Sequence, residues 1–487
     1  MSILGPDGQP IISGPQPSSE VRQMVDQIQA IALQGGTGVA LQRMVVVFQE
    51  DVVSDFVLAT ACDLLAKAQA EQTALWNQLP LEQKAEVPAP SDEELQLFLY
   101  LRENTSSPQA YYDIGTRFFR MGQMIVSRPF YARAKALLGK EQSELNQNVS
   151  VELAQNLMEL SGYQEAADIL QDLNDTYGGL PIELILKMTE CYALLRSLPE
   201  AETLFGIITE DALVNNPALE EWFEETGDLL ARIHDFDGRE QLALREWHYV
   251  QTRGAIVALN SDQSMPGERF AFCAPPLQEI AQIVGVTAAA LDQKGYAPNR
   301  LLWLGERSEP LARLFAEWWD IDPAAIRSYV PGDNTDNEDD LALLVMSHSY
   351  DIMALPNEEA VFELYEAKAG LITFSFNLQW TERQAITPDI VGLLSQYCYL
   401  PWEATVAIDN QGGVSVTPIE TAPDAKALAK QMAALFPSEQ DCDQHAQRLL
   451  ETYAGCTDLI LDHRDGELYR KSLVTHSPIP SPQIAFN

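Results

Sequence analysis

A helical pattern that recurs after 35 residues constrains this chain more than any other feature. Glu165-Ala166 returns as Glu200-Ala201 (200 − 165 = 35). In each unit a helix runs to a short turn, and a second helix then opens on Glu-Ala. Large apolar residues follow three and four positions after the alanine: Ile169 and Leu170, then Leu204 and Phe205. The small alanine lets two helices approach, and the large residues fill the space beside it. A two-helix unit cannot bury its apolar face alone, so neighbouring units must stack. Looser units flank this pair, one carrying Tyr112, Gly115, Gly122 and Ala134, the other Trp222, Gly227, Leu230 and Asp237-Gly238.

The matching positions are Gly162, Tyr163 and Ala166 in the first unit, and Tyr192, Ala201 and Phe205 in the second. On these residues, residues 110–246 resemble the tetratricopeptide repeat, whose period is about 34 residues. The second unit lacks the first-helix glycine, and the terminal proline is missing or shifted. A generic α-solenoid therefore stands beside true membership. Either way, the resemblance implies stacked helix pairs that present a concave surface to a protein or peptide.

The flanks extend this plan. Residues 1–19 are rich in Gly, Pro and Ser and read as a tail. Residues 20–109 read as helical. Ser19 is the expected cap of the first helix, and Gly35-Gly36-Thr37-Gly38 ends it. No lysine follows those glycines and no strand precedes them, so they form a helix-to-helix turn rather than a phosphate loop. Residues 52–79 read as a longer helix. Pro80, Pro88 and Pro90 mark a linker, and Ser91 with Glu94 predicts a capping box.

The pattern changes at Trp247. Residues 247–487 are expected to form an α/β domain with a mostly parallel sheet. Residues 245–260 and 268–273 read as strands paired in a hairpin. Apolar runs at 301–304, 326–330, 341–347 and 371–376 read as further strands. Helices are expected at 275–294, 309–319 and 358–368, and from Pro388 to near Tyr399. Residues 405–408 and 414–417 predict a hairpin, two helices close the domain, and 477–487 read as an extended tail. The fold class is thus multidomain, α plus α/β.

Charge narrows the partners. Asp and Glu number 71 against 31 Lys and Arg, a formal charge of −40. Such a surface repels phosphate backbones and anionic lipids. Direct binding to nucleic acid or membrane is not expected, and a basic partner segment is favoured. The first residues lack a basic and apolar leader pattern. The six cysteines are scattered, which suits a reducing cytoplasm.

Ligands in open α/β sheets gather beyond the carboxyl ends of the strands. That rule selects Glu306, Arg307 and Ser308 after one strand. It selects His348 and Asp351, with Ser347 and Ser349, after the next. It selects Asn377 and Trp380, with Gln379, after a third. A His near an Asp can serve as an oriented acid or base. The strand–turn–helix at 301–319 also resembles the opening unit of phosphoribosyltransferases. Residues 347–351 lack that family's acidic pair and Thr-Gly loop, so its chemistry is not expected here. Cys442, His445, Cys456 and His463 have zinc-ligand chemistry without finger spacing, and no metal or cofactor is assigned. Trp247, His248 and Arg253 form a last cluster at the change of pattern.

The reading that follows is an interaction protein that holds a partner through helical repeats. One alternative is an enzyme or small-ligand sensor using the strand-end cleft. A second is an acidic mimic of nucleic acid.

Overall fold

The computed structural model describes residues 16–80, 83–84, 87–209, 213, 216–257, 269–333, 340–379, 386–408, 414–462 and 465–470. The chain divides into two compact units after Phe223. The first is helical; the second carries the sheet. None of the described helices is long and apolar enough to cross a membrane.

Helices of the first unit are α1 (Ser19–Leu33), α2 (Thr37–Glu50), α3 (Asp55–Gln78), α4 (Glu93–Glu103), α5 (Pro108–Arg120), α6 (Met124–Leu138), α7 (Glu144–Glu159), α8 (Tyr163–Tyr177), α9 (Ile182–Leu194) and α10 (Leu198–Phe205). Ser18, not Ser19, caps α1, its hydroxyl accepting from the Val21 N–H. α4 starts two residues after Ser91. The Ser91 hydroxyl accepts from the Glu93 N–H, so it serves the same orphan donors from one position further out.

Four hairpins close with one turn. The pairs are α1/α2, α5/α6, α7/α8 and α9/α10. Each turn contains one residue with positive φ: Gly35 (90°), Gly122 (74°), Ser161 (59°) and Arg196 (59°). The following N–H donates five residues back: Gly36 to Ile31, Gln123 to Phe118, Gly162 to Leu157 and Ser197 to Tyr192. This is the six-to-one closure that satisfies a helix's last carbonyls. Ser161 and Arg196 adopt a backbone that costs non-glycine residues about 1 kcal/mol, so the surrounding contacts hold it.

Each second helix then buries a small residue four positions after its cap. These are Ala40, Ser127, Ala166 and Ala201, none with exposed surface. In the α5/α6 hairpin that residue is Ser127; Ala134, the residue suggested by sequence, is buried two turns further on. The same hairpin needs Gly115. A Cβ there would lie 2.7 Å from the ring of buried Tyr131. Gly115→Val should therefore destabilise the unit by about 2 kcal/mol through overpacking. Urea denaturation of the full chain checks this.

The second unit begins in α11 (Pro217–His234), which spans the division, and continues through α12 (Leu244–Thr252). Its strands are β1 (Ala255–Ile256), β2 (Arg269–Cys273), β3 (Arg300–Leu304), β4 (Ile326–Ser328), β5 (Ala342–His348), β6 (Glu366–Lys368), β7 (Leu371–Leu378), β8 (Ile390–Cys398), β9 (Ala404–Ile408), β10 (Val414–Pro418) and β11 (Asp465–Tyr469). Its other helices are α13 (Leu277–Gln293), α14 (Glu309–Trp319), α15 (Glu358–Glu363), α16 (Ala425–Ala433) and α17 (Glu439–Thr452).

The main sheet runs β1-β8-β7-β5-β3-β4, with β2 also on β8, and every pairing is parallel. β5 and β7 are buried at every position, as strands covered on both faces must be. One face packs Leu302, Leu344, Met346 and Ile352 together. Elsewhere in the core Phe315 of α14 meets Phe374 edge-on at 5.1 Å.

Four expectations need correction. Residues 244–252 are helix, not strand. Glu246 reaches back to the Ala243 N–H, and Arg253 ends the turn at φ 63°. β1 and β2 do not form a hairpin; each lies parallel to β8. The segment after Pro388 is the inner strand β8, not a helix. The helix expected at 358–368 stops at Glu363, and β6 follows, pairing with β11. β9 and β10 do form the expected antiparallel pair, but as a separate sheet. The tail at 477–487 lies outside the described residues.

Candidate functional site

Strand order places a reversal of winding within the sheet. From β3 the chain steps outward to β4, then returns to β5 on the other side of β3, and moves on to β7 and β8. The direction of winding reverses between β3 and β5. Crevices at such a reversal, beyond the carboxyl ends, are where doubly wound sheets hold ligands.

The predicted residues meet there. Ser308, from the 3₁₀ turn after β3, donates to Asp351 Oδ2 at 3.0 Å and accepts from the Ser347 N–H at 2.7 Å. Asp351 Oδ2 also accepts from Ser347 Oγ at 3.2 Å and from the His348 N–H at 3.0 Å. One carboxylate oxygen thus stitches two strand ends. Oδ1 accepts no hydrogen bond among the described residues. Gly305 explains how the turn closes so tightly. Its φ is 79°, and a Cβ would sit 3.1 Å from the Asp351 carboxylate. Glu306 and Arg307 are exposed at the rim, and Arg307 holds the Trp402 indole through its carbonyl at 2.9 Å.

His348 and Asn377 are register partners on β5 and β7. The imidazole does not face Asp351. Its Nε2 lies 3.0 and 2.9 Å from the two oxygens of Glu403. Its Nδ1 lies 3.5 Å from Asn377 Nδ2. Ser395 Oγ donates to Asn377 Oδ1 at 2.8 Å, which turns the amide nitrogen toward the ring. Nδ1 is then the acceptor, and the proton sits on Nε2 for Glu403. All four side chains are buried. Tyr350, partly exposed, stacks on the ring at 4.8 Å. With both nitrogens engaged, His348 has no free position for proton transfer to a substrate. The open groups are Asp351 Oδ1, Tyr350 and the exposed pair Glu306 and Arg307. That set can bind a ligand through hydrogen bonds and charge.

Burial raises the Asp351 carboxyl above its usual range, against the opposing pull of the His348 N–H and the two serine hydroxyls. The native state therefore holds this proton more tightly than the unfolded chain. Stability contributed by the protonated form is lost as pH rises from about 4, the unfolded value, through the raised folded value. Asp351→Asn keeps an acceptor for the three donors and removes the titration. Its stability relative to the parent should increase across that window and then level off. Urea midpoints measured over a pH series check this.

Trp380 lies outside the described residues. Gln379 donates its N–H to Ser349 Oγ at 3.2 Å, which ties the ends of β7 and β5 together again. Sequence reading missed Glu403 and Ser395. Ser395 lies inside the segment read as helix. Glu403 stands 55 residues from its partner, and only the tetrad Pro-Trp-Glu-Ala after an apolar run hinted at a loop there.

The other clusters are structural. Trp247 and His248 are buried on α12. Arg253 pairs with Asp228 and lies 3.6 Å from Asp458. Buried Arg232 donates to the Val250 carbonyl at 2.7 Å, and burial, with the nearby Arg253 charge, pushes its guanidinium down to about 10. Cys442 packs beside Gly285 of α13, where a Cβ would come within 3.0 Å of its sulfur. His445 is half-buried one turn on, and His463 lies outside the described residues. No group of three metal-ligating residues occurs among the described residues.

No protein-family model matches this chain, and no curated protein is significantly similar to it.

Proposed function

We propose that this protein binds a protein or peptide partner through its helical half. The recurrence of one hairpin, with the same turn and a small buried residue at the same position, carries this reading. Repeated helix pairs of this kind build the extended surfaces of tetratricopeptide-like and other α-solenoid proteins. The net charge of −40 favours a partner segment rich in Lys and Arg. Val46 on α2 and Ile125 on α6 are large apolar side chains left exposed. Gln49 joins the two helices by donating to the Ile125 carbonyl at 2.5 Å, so both residues belong to one candidate contact patch.

Native mass spectrometry of the full-length protein from its own cells tests the proposal. A stoichiometric protein partner is expected, lost on the surface change Val46→Glu with Ile125→Glu. A partner retained by that variant would move the interface elsewhere. A protein that stays alone at working concentration would end the reading.

A second reading rests on the cleft at the β3/β5 reversal. There the second unit would bind a small polar molecule at Asp351 and Arg307. A bound small molecule lost on Arg307→Ala would support it, and identical ligand content in parent and variant would remove it.

A further inference from the structure

We propose that Cys273 and Cys398 are a reactive thiol pair that closes to a reversible disulfide across β2 and β8. The two residues are register partners in a parallel pairing, so their side chains project from the same face of adjacent strands. Neighbouring strands lie about 4.8 Å apart, inside the Cα separation of roughly 4.4–6.8 Å that a disulfide spans. The Tyr399 N–H donates to the Cys273 carbonyl at 3.0 Å, which holds the two strand ends together just past the pair.

The thiols are neighbours on one face of the sheet. Hydrogen bonding with Cys273, together with burial, keeps the Cys398 proton on its sulfur, while Ser395 pulls the other way. Both cysteines are reduced in the structure, Cys398 buried and Cys273 half-buried. This difference assigns an order. The more accessible Cys273 meets an external oxidant first, and Cys398 resolves the product. With a low-molecular-weight disulfide as oxidant, the Cys273 thiolate attacks one of its sulfurs, forms a mixed disulfide and expels one thiolate. The Cys398 thiol then gives up its proton as its sulfur attacks the Cys273 sulfur, and the second thiolate is expelled and takes up a proton. The two cysteines lose two electrons and two protons, and the oxidant becomes two thiols.

The location gives the pair a target. Ser395, which contacts Cys398, orients Asn377 against His348, and Glu403 follows Cys398 by five residues in the loop that His348 holds. Closing the pair removes a thiol from the start of this chain of contacts. The assignment stands apart from the partner-binding reading, since both cysteines belong to the sheet unit.

Peptide mapping of the full-length native protein tests it, using oxidised glutathione as probe, followed by alkylation of the remaining thiols. The expected result is one linkage, Cys273 to Cys398, with two fewer alkylated cysteines, reversed by dithiothreitol. Cys398→Ser should stop at a glutathione adduct on Cys273. The proposal is overturned if the parent accumulates that adduct without closing. It is equally overturned if Cys273 links to another cysteine. Full alkylation of all six cysteines, at an oxidant level that links the urea-unfolded chain, would overturn it as well.

Discussion

Arg470→Met should cost the sheet unit about 4 kcal/mol, the range seen when one member of a buried ion pair is removed. Arg470 is 1% exposed and Asp389 3%. The guanidinium donates to both oxygens of Asp389 at 2.6 and 2.8 Å. It also donates to the carbonyls of Leu364, Glu366 and Leu371 at 2.8, 2.7 and 3.2 Å. Methionine fills part of the volume but leaves a buried carboxylate and three carbonyls without this donor. Among the described residues Asp389 keeps the Thr373 N–H at 2.8 Å as its one donor. The double change Arg470→Met with Asp389→Asn should cost clearly less than the sum of the two single changes, because the stranded charge is gone. Urea unfolding monitored by tryptophan fluorescence measures all three. A double cost equal to the sum of the two single costs would show that the carbonyl bonds, not the ion pair, dominate.

The second large effect is expected at His348. Replacement by Phe should destabilise the unit by about 3 kcal/mol, since it strands the buried Glu403 carboxylate. Among the described residues Glu403 would then keep the Leu400 N–H at 3.1 Å as its remaining donor. His348→Phe with Glu403→Gln should recover a large part of the loss, because the amide is neutral and the ring remains stacked beneath Tyr350. The change should also free the loop at 399–403 and its Trp402. Trp402 is buried and bonded to the Arg307 carbonyl, so limited proteolysis in that loop should accelerate. A variant as resistant as the parent would show that Trp402 alone anchors the loop.

Much of this architecture was legible in the residues. Helical hairpins followed from local spacing: Ala166 and Ala201, 35 residues apart, stand at equivalent turns because a turn and a helix start depend on neighbours in the chain. Strands β3, β5 and β7 were legible because Leu301–Leu304, Leu341–Met346 and Leu371–Phe376 are short apolar runs bounded by breakers, the pattern of strands covered on both faces. The strand-end rule then named Ser308, His348, Asp351 and Asn377, and the sheet order brings all four into one network.

Other features were decided by tertiary structure. The run Ile390–Cys398 suits helix or strand equally by hydropathy, and Pro388 favours a helix start. Its place between β7 and the pair β1 and β2 makes it a strand, because both its edges find hydrogen-bond partners there. Residues 244–252 carry the aromatic and β-branched residues of a strand. A reaching Glu246 and the left-handed Arg253 make them a helix, since the cap and the turn satisfy backbone groups that no neighbouring strand supplies. Ring partners obey the same division. His348 and Asp351 were assigned to each other because they are close in the chain. The fold gives Asp351 to two serine hydroxyls and the His348 N–H, and gives the ring to Glu403, 55 residues away. Local bonding is set by sequence distance and was readable from it. Which distant groups share one buried volume depends on strand order and register, and those exist only once the sheet has formed.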